Sequence, residues 1–256
     1  MGETWVADYL ARIGVPQVEN ADPDKLPELH RRHLLTVPFE NLSVHLGEDI
    51  VLDDAALTTK IVGRRRGGFC YELNGAFAAL LTALGYDVGL LAARTHGPTG
   101  LGIPYDHLVL RVGPWLADVG FGSHSHYPLR LDDRDDQVDP GGTFRIEETP
   151  DGDWDVFKDG EPQYRVWARP QRLGDFVAGC WWHRTSPESH FTQSLVCSLT
   201  TENGRITLSG RRLVRTTAAQ RHEEDLGDDA EVLNAYRVHF GIDLDRVPEV
   251  LTHDRR

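Results

Sequence analysis

The chain has 256 residues, of which 40 % are hydrophobic and 26 % charged, with a net charge of −13. These are the proportions of a globular protein, one large domain or a few lobes sharing a core, and so acidic a total excludes an extended basic face for nucleic acid. No apolar run reaches the length of a membrane span, the first residues lack a signal-peptide pattern, and the three cysteines (Cys70, Cys180, Cys197) have no CxxC spacing, so the expectation is a cytoplasmic chain with neither a disulfide framework nor a metal site.

In chain order, residues 4–13 read as a short amphipathic helix ended by Gly14 and Pro16. Asp22-Pro23 opens a helix to about Leu35, and Asp53 caps another through about Val62. Leu73, Phe77, Leu80, Leu81 and Leu84 recur at helical spacing before Gly85. From about residue 87 the pattern changes to short strands at 88–93, 108–112, 115–119, 143–146, 154–157 and 163–168, with an exposed acidic loop at 131–142. A short helix near 171–179, strands at 192–200, 204–209 and 212–216, and a closing helix within 229–240 complete an α+β chain.

Cys70 stands out chemically. Gly67 and Gly68 remove side chains just before it and leave room for another molecule to approach the backbone. The periodic helix starts at or just after it, which places the sulfur in the first turn, where unpaired N–H groups favour the reactive thiolate. The run Arg64-Arg65-Arg66 adds positive charge nearby. Cys180 and Cys197 sit in apolar surroundings and read as structural.

A thiol nucleophile needs an imidazole, and the imidazole needs a third group to hold it. A hairpin centred on Gly113-Pro114 pairs Val112 with Trp115 and, counting outward, Val109 with Asp118. His107 and Val109 share a strand face, so His107 and Asp118 become diagonal neighbours across the hairpin. Asp118 also lies in an apolar stretch, where an unpaired carboxylate is costly. His124 and His126 share a face but lack a third metal ligand.

These segments resemble the arylamine N-acetyltransferases. The resemblance rests on Val37-Pro38-Phe39-Glu40-Asn41-Leu42, Arg66-Gly67-Gly68-Phe69-Cys70-Tyr71-Glu72-Leu73-Asn74, His107-Leu108-Val109-Leu110, Asp118-Val119-Gly120-Phe121-Gly122 and Pro128-Leu129-Arg130-Leu131, with weaker matches at Ser186-Pro187-Glu188-Ser189-His190-Phe191 and Phe240-Gly241-Ile242. It implies a catalytic triad of Cys70, His107 and Asp118, with a cysteine-protease-like core. It also implies a helical bundle over residues 1–86, a β-barrel over 87–190 and an α/β lid over 191–256. Cys70 would take acetyl from acetyl-CoA, a donor substrate rather than a resident cofactor, and pass it to an arylamine or hydrazine in a ping-pong cycle. By position Phe39, Tyr71, Phe121 and Phe191 would line the acceptor pocket, while Arg66 and Glu40 resemble a structural ion pair.

Three other readings stay open at this stage. The chain is short for a bacterial member, as are the polyketide amide synthases, which take the acyl group from a carrier-protein thioester and close a macrolactam. Cysteine hydrolases share the order Cys, His, Asp. A binding module without catalysis would carry an inert Cys70.

Overall fold

The computed structural model describes residues 4–18 and 20–250. The outer ends of the first and third expected units, residues 1–3 and 251–256, lie outside the described residues. Helix α1 (Trp5–Ile13) forms as its periodicity predicts. Helix α2 (Leu26–Thr36) starts later than Asp22-Pro23 implied. Asp22 is spent on a turn, where its side chain accepts the Asp24 N–H at 3.0 Å and its carbonyl the Lys25 N–H at 2.9 Å. Strand β1 (Phe39–Glu40) and helix α3 (Leu42–Leu46) follow in a stretch where no element was expected. Asp53 caps α4 (Asp54–Thr58), accepting the Ala56 N–H at 2.7 Å, and the helix runs on as a π turn to Gly63. Helix α5 (Cys70–Ala83) is buried on every side from Cys70 to Leu81 and forms the axis of the N-terminal core with Tyr9, Leu29, Ile61 and Val119.

The strands β2 (Val88–Gly97), β3 (Gly100–Leu101), β4 (His107–Val112), β5 (Trp115–Ala117), β6 (Leu129–Arg130), β7 (Gln137–Asp139), β8 (Gly142–Glu148), β9 (Trp154–Lys158) and β10 (Glu161–Gln171) form one antiparallel sheet. Its order is β6-β5-β4-β2-β10-β9-β8-β7, with β3 attached to β2. The sheet curls into a nearly closed barrel. A side chain joins its two edge strands: the Gln137 amide accepts the Arg130 N–H at 2.7 Å and donates to the Arg130 carbonyl at 2.9 Å. Inward-facing Leu91, Val109, Leu116, Phe144, Val156 and Tyr164 fill the interior. Strand β7 lies within the segment expected as an exposed loop.

Helices α6 (Val177–Thr185) and α7 (His190–Gln193) lead to a second antiparallel sheet of β11 (Val196–Thr201), β12 (Gly204–Ser209), β13 (Arg212–Thr217) and β14 (Arg221–Asp225), covered by α8 (Asp229–Phe240). The strand expected over 192–200 therefore begins only at Val196, because Ser189 caps α7 by accepting the Phe191 N–H at 3.2 Å. Strand β1 pairs with β11, with Phe39 opposite Ser198, so the N-terminal segment completes the C-terminal sheet. No helix among the described residues is long and apolar enough to cross a membrane.

Candidate active site

Cys70 is the first residue of α5, and Phe69 before it is extended (φ −101°, ψ −171°). Glu72, one turn in, accepts the Phe69 N–H at 3.3 Å and fixes the helix start. The thiol is 4 % exposed. The two glycines before it serve the chain itself rather than an approaching molecule. A Cβ on Gly67 would lie 1.9 Å from the Pro38 carbonyl oxygen, and one on Gly68 would meet the Glu72 side chain. The Glu40 N–H in turn donates to the Gly68 carbonyl at 2.8 Å. Arg66 is likewise spent on structure: its Nε donates to Glu40 Oε1 at 3.0 Å and its Nη1 lies 3.2 Å from Glu48 Oε2, so only the exposed Arg64 and Arg65 of the basic run remain unburied.

The hairpin forms in the expected register, with Val112 opposite Trp115 and Leu110 opposite Ala117. It ends there, and Asp118 does not pair with Val109. Side chains from the helices capture its backbone instead. The Asp118 N–H donates to His30 Nε2 at 3.2 Å and the Val119 N–H to Asn74 Oδ1 at 2.9 Å. This turns the Asp118 side chain onto His107, whose Nε2 lies 2.7 Å from Asp118 Oδ2. Asp118 Oδ1 accepts from Asn74 Nδ2 and from the Gly120 N–H, each at 2.9 Å. Cys70 neighbours the same imidazole closely enough to favour its protonated form.

Burial opposes charge on His107, but the Asp118 carboxylate, its hydrogen bond and the neighbouring Cys70 overcome it and lift the imidazole to about 10. Burial alone would raise Asp118, yet the facing imidazolium and the Asn74 amide hold it well below the usual carboxylate range. Nearby His124 is pushed down to about 3 by burial and stays neutral. The arrangement is a buried thiol beside a proton-holding imidazole oriented by a fixed carboxylate.

A family model described as N-acetyltransferase matches residues 22–249. The chain belongs to the arylamine N-acetyltransferase family. It is 33 % identical over 259 residues to the arylamine N-acetyltransferase of Escherichia coli, an alignment covering 96 % of this chain and 92 % of that one. The solved arylamine N-acetyltransferase of M. smegmatis superimposes with a TM-score of 0.87 at 32 % identity, covering 97 % of this chain and 99 % of the other. The Mycobacterium marinum enzyme, solved in complex with CoA, gives a TM-score of 0.82 at 32 % identity, covering 93 % and 92 %.

In this N-acetyltransferase the four aromatic residues expected at the acceptor pocket take two kinds of place. Phe39, Phe121 and Phe191 are half-buried. The Phe191 ring lies 6.1 Å from Phe39 and 5.5 Å from Phe69, while Phe121 meets His107 edge-on at 5.2 Å. Tyr71 is fully buried, its hydroxyl donating to the Tyr105 carbonyl at 2.7 Å and the Asp106 carbonyl at 3.1 Å. Beyond Phe121, whose ring is also 5.2 Å from His124, opens a cleft of about 680 Å³ lined by Ser123, His124, His126, Arg205, Thr216 and Thr217. Arg205 donates to Gly122 O, Ser198 Oγ and Thr200 Oγ1, all neutral partners.

The sequence reading passed over Asn74 and His30. Asn74 lies four residues after Cys70, hence on the same helix face, and that spacing was a usable signal. His30 gave none, because only the fold brings α2 against residue 118.

Proposed function

We propose that this N-acetyltransferase works by two half-reactions through a Cys70 thioester, with acetyl-CoA as donor and an arylamine or hydrazine as acceptor. The observation that carries this reading is the buried His107 ring, with Cys70 as its neighbour and its Nε2 2.7 Å from Asp118 Oδ2. With Nε2–H committed to Asp118, Nδ1 is the nitrogen left to take the thiol proton, and an imidazolium beside the sulfur favours the thiolate. The sulfur attacks the acetyl carbonyl; the carbon–sulfur bond to CoA breaks, and the departing thiolate takes the proton from His107. The amine then attacks the Cys70 thioester, gives its proton to His107 and returns the sulfur to the enzyme. First-turn N–H groups of α5, including that of Cys70, face the oxygen on which negative charge develops.

The cleft beyond Phe121 suits the CoA moiety, since Arg205 there bonds only neutral groups among the described residues and keeps its charge for phosphates. Phe39, Phe121 and Phe191 suit the flat acceptor. CoA bound to the M. marinum relative favours this donor over a carrier-protein thioester. The test is steady-state kinetics with acetyl-CoA and a simple arylamine. Parallel double-reciprocal lines are expected; absence of CoA release above background sinks the acetyl-transfer reading.

A further inference from the structure

A second Asp–His–hydroxyl chain is buried where β4 begins, separate from the triad. Asp106, His183 and Ser189 are 8 %, 3 % and 1 % exposed. Asp106 Oδ2 accepts the Thr95 N–H at 3.0 Å and the Thr95 hydroxyl as well. His183 Nε2 lies 3.0 Å from Asp106 Oδ1 and 3.2 Å from the Asp106 carbonyl, and its Nδ1 lies 3.2 Å from Ser189 Oγ. Ser189 Oγ also accepts the Phe191 N–H at 3.2 Å.

The proton positions follow from what each group can do. A carboxylate only accepts, so His183 Nε2 carries a hydrogen. Nδ1 then accepts the Ser189 hydroxyl hydrogen, which leaves the Ser189 oxygen free to accept from Phe191. Each donor has an acceptor in this arrangement, and none is left for a substrate. Ser189, at 1 % exposure with both capacities used, is not a nucleophile.

The chain joins three pieces of the molecule: β2 through Thr95, the residue preceding His107, and the α6–α7 segment that carries Phe191. The His183 ring meets Phe191 edge-on at 5.2 Å, and Asn41 Nδ2 donates to the Phe191 carbonyl at 2.9 Å. Phe191 is thus fixed through its N–H, its carbonyl and its ring. From this geometry we infer that Asp106, His183 and Ser189 are positioning residues that set the Phe191 wall of the acceptor pocket relative to the strand bearing His107. The inference rests on the acceptor-pocket reading above and assigns the network to acceptor binding rather than to acylation of Cys70.

The experiment compares Ser189→Ala, Phe191→Leu and the double variant, measuring arylamine KM at saturating acetyl-CoA and the single-turnover rate of Cys70 acetylation. Loss of one buried hydrogen bond corresponds to a rise of about three- to tenfold in KM for Ser189→Ala. Cys70 acetylation stays within about twofold, the size of a surface-type change, and Ser189→Thr, which keeps the hydroxyl, restores KM. The double variant is no worse than Phe191→Leu, since both changes act through one side chain. Raised KM in Phe191→Leu with unchanged KM in Ser189→Ala overturns the inference alone. Unchanged KM in Phe191→Leu removes the acceptor-pocket reading and the inference with it. Equal loss in both half-reactions makes the network merely structural and also overturns it. If Ser189→Ala does not fold, His183→Gln, which keeps the donor to Asp106 and drops the acceptor for Ser189, is read for the same KM split.

Discussion

Replacing Gly120 with alanine tests how tightly the triad depends on one backbone contact. The φ of Gly120 is not in the left-handed region, so the demand for glycine is steric alone. A Cβ there would lie 2.7 Å from Cys70 Cα, 2.7 Å from Asn74 Nδ2 and 3.1 Å from the Cys70 carbonyl oxygen. Ordinary carbon contacts begin near ~3.5 Å, so the loop must withdraw from α5 by about 0.8 Å. Helix α5 cannot yield, because its first twelve residues are all buried. The withdrawal takes with it Asp118, which holds the Gly120 N–H at 2.9 Å, and lengthens the 2.7 Å contact to His107. Overpacking of this kind costs about 1–3 kcal/mol of stability, and a misplacement approaching 1 Å costs up to about 10²-fold in rate. Single-turnover acetylation of Cys70 and a urea denaturation curve measure the two effects separately. Wild-type acetylation in a Gly120→Ala variant of normal stability refutes the claim that this contact sets the triad.

Asp118→Asn removes the charge that orients and protonates His107 while nearly keeping the shape, and Cys70 acetylation falls by about 10²- to 10⁴-fold in stopped-flow measurement. Glu40→Ala leaves the buried Arg66 with the more exposed Glu48 as its only carboxylate partner among the described residues, and lowers unfolding free energy in urea by about 3–5 kcal/mol. The pH dependence of stability carries a sign. His107 is raised from its ordinary 6.5 to about 10 in the folded chain, so its stabilising contribution is complete below pH 6.5 and declines to nothing as pH rises through about 10. Asp118 is depressed, so the same pair fails at the acid end only below the usual carboxylate range. The stability difference between wild type and His107→Gln, measured across pH 6 to 10, therefore shrinks with rising pH.

Much of this was legible in the sequence where a local rule and the tertiary environment agree. Asp53 announced its helix, the apolar spacing after Cys70 announced α5, and the Gly113-Pro114 centre gave the hairpin register from Val112 opposite Trp115 to Leu110 opposite Ala117. The reading failed where distant groups compete for the backbone. The strand expected to 119 stops at Ala117 because His30 and Asn74 take the next two N–H groups. The strand expected from 192 gives way to α7 because Ser189 caps a helix there. Strand β14, Arg221–Asp225, is entirely polar and exposed, so alternation had nothing to mark, and only pairing with β13 makes it a strand. Gly67 and Gly68 were read as room for a second molecule, whereas the fold fills that room with Pro38 and Glu72.

The central claim is that Cys70 carries the acetyl group between donor and amine. Intact-mass spectrometry after incubation with acetyl-CoA alone measures it directly. One added acetyl group is expected on the wild-type chain, none on Cys70→Ala, and its loss on addition of an arylamine. An unmodified wild-type chain that still acetylates the amine, or an acetyl group that persists in Cys70→Ala, contradicts the account.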